Sequence, residues 1–467
     1  MKIKTFLGGI HPPGHKDLSA AKKIQDVPPP QRVYIPVVQH IGAPGEPQVK
    51  MGQKVKKGEM IVDSQSFVFA PIHATISGTV VDIRKFPHPG GREVTTIVIE
   101  SDGKDEWFEE PHECKDALKL PPEKIKKIIR DAGIVGLGGA AFPTHVKLSP
   151  PKDKPIDAII LNGAECEPYL TSDYRLMLEK TEGIVKGLQI LMHTLGVKRG
   201  YIGIEANKPD AIEAMRRAVE KNAPHPALSP QGRGEGVMGY EKVPQIEMVS
   251  LKVRYPQGAE KQLIKTILNR EVPPPPGLPL DVGVVVQNAG TAYAIYEAVS
   301  LEKPLIERVV TVSGRGIKEP KNLRLRLGTL FSEAIRHCGG FQGKPGKILM
   351  GGPMMGLAQY TTQVPVIKGT SGILVLSAEE SVQGEPSHCI NCGMCVRACP
   401  MRLVPSLLGT YCERGILDEA ERAHVQDCIE CGSCVYVCPA KRQLVHLIKH
   451  GKGVILAKKR REQSKLN

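Results

Sequence analysis

Two cysteine runs near the end of the chain leave that segment few things to fold around. Residues 389 to 399 read C-x-x-C-x-x-C-x-x-x-C, followed by Pro400, and the same spacing returns at 428 to 438, followed by Pro439. Three thiolates at three-residue steps wrap one face of an iron-sulfur cube, and in two-cluster ferredoxins the fourth cysteine of each run ligates the other cluster. The expected sets are therefore Cys389, Cys392, Cys395 and Cys438 for one [4Fe-4S] cluster, and Cys428, Cys431, Cys434 and Cys399 for the second. A zinc ribbon needs only four ligands and has no use for a third C-x-x-C step or for a copy of the whole run. Disulfides fit less well, because the chain shows no signal peptide and Cys114, Cys166, Cys338 and Cys412 are scattered singly, which points to a reducing cytoplasm.

At 467 residues the chain exceeds one core, and its size suggests about three domains. Aromatic residues make up only 4%, whereas 48 glycines and 39 prolines suit turn-rich α/β and β modules. The formal charge of +14 is compatible with nucleic acid, an acidic partner or an anionic membrane surface. Part of it sits in a tail from 447 to 467, where Lys449, Lys452, Lys458, Lys459, Arg460, Arg461 and Lys465 follow the second run. No nucleic-acid-binding signature accompanies these charges, so the tail reads as a solvated end or a docking segment. No apolar stretch approaches the roughly 18 residues a membrane span needs, so membrane association is expected to be peripheral.

The first 115 residues alternate short apolar runs with glycine turns, as at Gly52, Gly58 and Gly78. Residues 52 to 81 resemble the barrel-sandwich hybrid of lipoyl and biotinyl carriers. The place where a carrier holds its modified lysine, around Ser64 to Ser66, has none, so a structural β module is expected. From 120 to 300 strands alternate with helices: strands over Asp157 to Leu161, Tyr201 to Ile204, Gln245 to Val253 and Asp281 to Gln287, with Asn207 capping a helix from Pro209 to Lys221 and a second helix over Ala292 to Val299. That order predicts a parallel, Rossmann-like sheet with helices packed on it. Residues 223 to 239 read as a surface insertion. A small β-rich domain with one helix, Thr329 to His337, follows over 305 to 375, and the cysteine runs occupy a last domain over 380 to 446.

Clusters exchange single electrons and need a source or sink. The richest candidate is the stretch GIVGLGGAAFPTHVKL at 133 to 148, where Gly136, Gly138 and Gly139 let backbone approach a phosphate and Lys147 adds a cation. GLGGAAFPTHVKL resembles the flavin-binding loop of the NADH-oxidising subunit of respiratory complex I, and NGAECEP at 162 to 168 resembles that subunit's acidic nucleotide-binding stretch. Gly258 to Glu260 and Gln287 to Thr291 fall where that family places its remaining flavin contacts.

GGIHPPGHK at 8 to 16, the β module, NGAECEPYLTSDYRLM at 162 to 177 and the two-cluster ending together resemble the C subunit of the Rnf (Rsx) complex. That resemblance implies an α/β multidomain chain: an N-terminal barrel-sandwich hybrid, a Rossmann-like FMN and NAD(H) domain, a β-grasp (SLBB-like) ligand-binding-type domain and a ferredoxin-like domain with two [4Fe-4S] clusters. It also implies a peripheral subunit on the cytoplasmic face of the bacterial inner membrane, working with the other Rnf subunits, in particular the ferredoxin-like one, and no nucleic acid. Carried over by position, Gly136, Gly138, Gly139 and Lys147 hold non-covalent FMN with Asn162, Gly258, Glu260, Asn288 and Thr291, while Glu165 and Glu167 bind ribose hydroxyls of NAD(H) and Phe142 stacks on its adenine. The chain departs from the complex I pattern at Val135 and Leu137, which stand in place of arginines, and at Ala164 and Ala259, in place of acidic residues.

The function so implied is hydride exchange between NAD(H) and FMN, then single-electron exchange with two clusters, in an ion-translocating ferredoxin:NAD+ oxidoreductase. No catalytic acid, base or nucleophile is expected, because the chemistry is the cofactor's. The alternatives are a diaphorase subunit of a soluble complex, or an iron-sulfur relay whose nucleotide site has decayed.

Overall fold

The computed structural model describes residues 3–114, 116–222, 245–382 and 384–466. The insertion expected at 223 to 239 lies outside them.

The parallel sheet is built from apolar runs. Ala158–Gly163, with the sequence AIILNG, is buried along almost its whole length, as a strand covered by helices on both faces must be. Its neighbours are Arg199–Glu205 on one side and Val284–Asn288 on the other, and Gln245–Leu251 lies outside Arg199–Glu205. The helix Pro209–Lys221 spans the expected residues, but its N-cap is Lys208, not Asn207, and no side chain caps it. Pro209 at the first helical position accounts for the boundary, since its ring supplies helical φ and the missing N–H was unpaired in any case. The fourth strand starts later than expected, at Val284, because Pro279–Val282 forms a short 3-10 helix closed by Gly283 at φ 70°. One glycine brings two helices together: a Cβ at Gly187 would overlap the Ala292 carbonyl, so only glycine lets Thr181–Leu195 lie this close to Ala289–Ser300.

The β module is a sandwich of a four-stranded sheet (Arg32–Pro36, Arg92–Ser101, Gly78–His88 and Lys54–Val55) on a three-stranded one (Glu46–Pro47, Met60–Asp63 and Ile72–His73). Val33, Ile35, Ile61, Phe69, Ile76 and Ile97 fill the space between them. The loop at Ser64 is docked on the parallel-sheet domain: Arg130 donates to Asp63 Oδ1 (3.0 Å) and to the Ser64 carbonyl (3.3 Å), and His145 Nε2 meets the Phe67 carbonyl (3.0 Å). A tip held in this way has a structural role, as its lack of a lysine suggests.

The third unit is a six-stranded sheet with the helix Phe331–His337 against it, and its edge strand, Ile24–Asp26, comes from the start of the chain. The helix begins two residues later than expected, since Leu330 is extended and stands as its N-cap. The cysteine runs lie among short helices packed on Leu444–Leu466. The basic stretch read as a tail is thus helical. It buries Ile448 and Ile455, while Lys452 pairs with Glu430 (2.6 Å), Lys458 with Asp418 (3.4 Å), and Lys459 with Glu421. Among the described residues no helix is long and apolar enough to cross a membrane.

Candidate functional site

In an open parallel sheet, ligands bind beyond the carboxyl ends of the strands, where neighbouring connections run in opposite directions. Here that point lies between Ala158–Gly163 and Val284–Asn288, whose last paired residues are Asn162 and Asn288. The glycine loop closes over it. Gly136 N–H donates to the Phe142 carbonyl (2.9 Å) and Ala141 N–H to the Gly136 carbonyl (3.1 Å), leaving Gly138, Gly139 and Ala140 as an exposed tip. Leu137 N–H donates to Thr291 Oγ1 (2.8 Å), and a Cβ at Gly138 would stand 3.3 Å from the Asn288 side chain. Gly139 has φ 117°, which other residues rarely adopt. Among the described residues, the N–H groups of Gly138, Gly139 and Ala140 have no protein acceptor. Free amides beside the N-terminus of Ala289–Ser300 suit an anion such as a phosphate.

The other flavin-side residues gather around the same crevice, but several are engaged in shaping it. Asn162 Nδ2 donates to the Gly258 carbonyl (2.8 Å) and its Oδ1 accepts from Ala164 N–H (3.1 Å). Asn288 caps its helix by accepting from Thr291 N–H (3.2 Å) and donates to Asp173 Oδ2 (2.6 Å). Burial, helped by the neighbouring Glu165 carboxylate, pushes the Asp173 carboxyl well above the usual range. Lys147 Nζ pairs with Glu260 Oε1 at 3.0 Å and donates to the Val286 carbonyl at 3.2 Å. Gly258 packs where a Cβ would meet Cys166 Sγ at 3.3 Å. The free amides of the loop suit a phosphate, with Asn162, Asn288 and Thr291 holding the loops, while Lys147 is engaged by Glu260 and Val286.

The acidic stretch is placed differently from the ribose-binding expectation. Glu165 turns back on its own chain, accepting from Asp173 N–H (2.7 Å) and Tyr174 N–H (3.2 Å) at the start of Ser172–Glu179. Glu167 accepts from Met354 N–H (3.1 Å) and Met355 N–H (2.9 Å), and burial pushes its carboxyl up to about 7. Both carboxylates thus have intramolecular partners and organise loops. Phe142 is half-buried, and its carbonyl closes the glycine loop. Val135 and Leu137 are buried in the main core and Ala164 in a second one, so three of the four departures from the complex I pattern have a packing role, while Ala259 is a half-buried helix N-cap.

At the other end, Cys399, Cys428, Cys431 and Cys434 line one small pocket together with Leu403, Leu408 and Ile448. Cys399 comes from the first run and the other three from the second, as cross-ligation requires. Burial, with the sulfurs of Cys431, Cys428, Cys399 and Cys395 nearby, pushes the Cys434 thiol above its usual range, so a thiolate there calls for a bound cation such as iron. Among the described residues no three His, Cys, Asp or Glu side chains could share a single metal ion. The sulfurs surround a volume, as a cluster needs. Cys395 is buried beside Cys434, while Cys389 and Cys392 are exposed and Cys438 half-buried, which puts the ligand set that begins at Cys389 at the surface.

Three site residues escaped the sequence reading. Tyr255, buried, donates through its hydroxyl to the Cys431 carbonyl (2.7 Å) while lying three residues before Gly258. Lys16 places its ammonium among the carbonyls of Glu165 (2.9 Å), Glu167 (3.0 Å) and Leu170 (2.5 Å). Lys208 donates to the Ala164 carbonyl (2.7 Å) and pairs with buried Glu205 (3.2 Å). Only Lys16 had a signal, its place in the GGIHPPGHK motif.

Comparison with known proteins agrees with this arrangement along the chain. Residues 4–104 match the RnfC barrel sandwich hybrid domain, 129–297 the Nuo51 FMN-binding domain, 309–358 the SLBB domain and 381–439 the 4Fe-4S dicluster domain. The chain is 50% identical over 464 residues to the C subunit of the proton-translocating ferredoxin:NAD(+) oxidoreductase complex of Clostridium ljungdahlii, covering 99% of this chain and 96% of the relative. It is 45% identical over 461 residues to the C subunit of the Na(+)-translocating complex of Acetobacterium woodii, covering 99% of both. It is also 43% identical over 461 residues to the C subunit of the ion-translocating oxidoreductase complex of Rhodobacter capsulatus, covering 98% of this chain and 84% of the relative.

Proposed function

Since this chain belongs to the C subunits of Rnf ion-translocating ferredoxin:NAD(+) oxidoreductase complexes, we propose that it is the subunit where NAD(H) meets the electron chain of such a complex. NADH surrenders a hydride, two electrons and a proton, and becomes NAD+. The hydride's two electrons would pass on singly to the clusters that the two cysteine runs would hold, and its proton to solvent. Bound FMN supplies the conversion from paired to single electrons. This chain's residues supply position: the Gly138 to Ala140 amides and Lys147 for the flavin phosphate, and the cysteines for iron.

The observation that carries this reading is the placement of both cofactor sites in one chain with Tyr255 between them, three residues from Gly258 and bonded to Cys431. The partner we propose is an iron-sulfur, ferredoxin-like subunit docking at the exposed cluster. Cys389 and Cys392 are exposed there, next to an unusually exposed Ile390 (66%). We place the subunit at the cytoplasmic face of the membrane, held through its partners.

The nucleotide contacts proposed for this site do not include free carboxylates of Glu165 or Glu167, which have intramolecular partners. An anaerobic titration with NADH tests the function, after iron and FMN are counted per chain. About eight irons and one flavin, with flavin and then cluster absorbance bleached, is the expected result. About eight irons with no flavin and no response would leave an iron-sulfur relay instead.

A further inference from the structure

The segment from residue 3 to residue 16 lies apart from the β sandwich. It runs between the parallel-sheet domain and the cysteine runs, bonding to both. On the sheet side, Lys4 bridges to the end of Gln245–Leu251, donating to the Ser250 carbonyl (3.0 Å) and accepting from Lys252 N–H (2.9 Å). Arg254 Nη1 donates to the Phe6 carbonyl (2.8 Å) and stacks over the Phe6 ring. Ile10 exchanges two backbone hydrogen bonds with Tyr255 (2.8 and 2.9 Å). On the cluster side, Gly9 N–H donates to the Ala398 carbonyl (2.9 Å), one residue before Cys399, and a Cβ on Gly8 would stand 2.7 Å from the Cys399 carbonyl oxygen.

The circuit is closed by Tyr255, which is bonded to Ile10 on one side and to Cys431 on the other. Ile10, Tyr255, Ala398 and Cys431 form one buried apolar cluster. Gly9 is the narrowest point. Its φ is 75°, and a Cβ would fall 2.6 Å from the Tyr255 carbonyl oxygen and 2.9 Å from the Phe6 ring. Beyond it, Tyr169 N–H donates to the Gly14 carbonyl (2.7 Å), His15 stacks on Tyr169 (4.6 Å between ring centres), and Lys16 ends in the Glu165 to Leu170 loop.

We propose that residues 3–16 are a strap that seats the enclosed cluster against the flavin crevice, with Gly9 as its positioning residue and Arg254 as its anchor. The physical reason is that electron exchange between two bound groups falls steeply with their separation. Among the described residues the direct hydrogen bonds between the domains are Tyr255 to Cys431, and Gln262 Nε2 to Met401 Sδ (3.1 Å) and to the Pro400 carbonyl (3.4 Å), beside the apolar packing of Cys166 and Tyr255 on the Cys431 side. The strap adds a continuous backbone connection to both sides, and backbone does not change rotamer.

The inference rests on the function proposed above. Its test uses the full cofactor-loaded chain as wild type, Gly9→Ala and Arg254→Gln. Iron and FMN are counted, amide hydrogen exchange is followed over residues 253–257 and 396–400, and absorbance is followed after rapid mixing with NADH. The expected result is faster exchange in both windows, flavin bleaching kept, and the fast cluster bleaching lost in Gly9→Ala and slowed in Arg254→Gln. Wild-type exchange and wild-type cluster bleaching in either variant that keeps its iron and flavin would overturn the strap, as would loss of iron or flavin in both. A wild-type protein in which NADH bleaches nothing would instead overturn the function itself, and the exchange data would still report whether the strap holds the domains.

Discussion

The Tyr255 hydroxyl and the Cys431 carbonyl share a buried hydrogen bond of 2.7 Å that ties the flavin-binding domain to the second cysteine run. Tyr255→Phe keeps the ring and leaves the carbonyl without its partner. A buried polar group so orphaned costs about 1–3 kcal/mol. The variant should keep its iron and flavin at low temperature and lose cluster absorbance at a lower temperature on heating. A wild-type melting midpoint would rule out a stabilising role for the bond.

Lys147 and Glu260 pair at 3.0 Å in the crevice, so a flavin phosphate and the carboxylate are rivals for the same ammonium. Lys147→Ala should lose FMN and keep its iron. Glu260→Gln should retain FMN at least as well as wild type, because its lysine is freed. Equal flavin loss in the two variants would show that the ion pair, and not the cation, builds the site.

Cross-ligation separates two cysteines of the same run. Cys399 lines the enclosed cavity, whereas Cys392 is exposed. Each alanine variant should keep about four irons. The iron left in Cys399→Ala belongs to the exposed cluster and should be removed quickly by a chelator, while that left in Cys392→Ala should resist. Matching chelation rates in the two variants would place both cysteines on one cluster.

Lys368 is fully buried, with its nitrogen donating to the Pro71 (2.6 Å) and Gly133 (2.7 Å) carbonyls, one from the sandwich and one from the parallel-sheet domain. Two acceptors match the two N–H groups of a neutral amine, and burial lowers its pKa from 10.5 to about 7. Between these values the unfolded chain holds a proton that the folded chain has released, so stability rises with pH across the window and is lost again as pH falls through the lower value. Relative to Lys368→Met, the wild type should gain on the order of 1 kcal/mol per pH unit there. The same stability difference at both ends of the window would show that the amine is charged in the folded protein.

What was legible in the sequence is what depends on local spacing. The cysteine steps, the glycine loop and the Pro209–Lys221 helix need only neighbours to be recognised, and the structure forms the loop and the helix and brings Cys399 to Cys428, Cys431 and Cys434. The illegible part depends on partners far along the chain. Nothing around Glu167 announces that its carboxylate meets Met354 and Met355, and so a residue with the look of a ligand-binding acid holds a loop of the six-stranded sheet domain. Val135 and Leu137 point the same way: where the complex I pattern carries charge, these side chains are buried, and the loop is fixed instead by Thr291 and by Arg308 Nη2 donating to the Leu137 carbonyl (3.2 Å). Asn207 lost the capping position to Lys208, whose ammonium is drawn away to Glu205 and Ala164.

The placement of the first residues of the chain also sets an order of assembly. Lys4 waits for Ser250, Ile10 for Tyr255, Ile24 for Asn322 and Gly9 for Ala398. During synthesis residues 4 to 24 precede all of these partners, so their bonds form only as residues 250 to 398 become available. Residues 4 to 24 therefore act as a late seal, closing between domains whose own residues come after them in the chain.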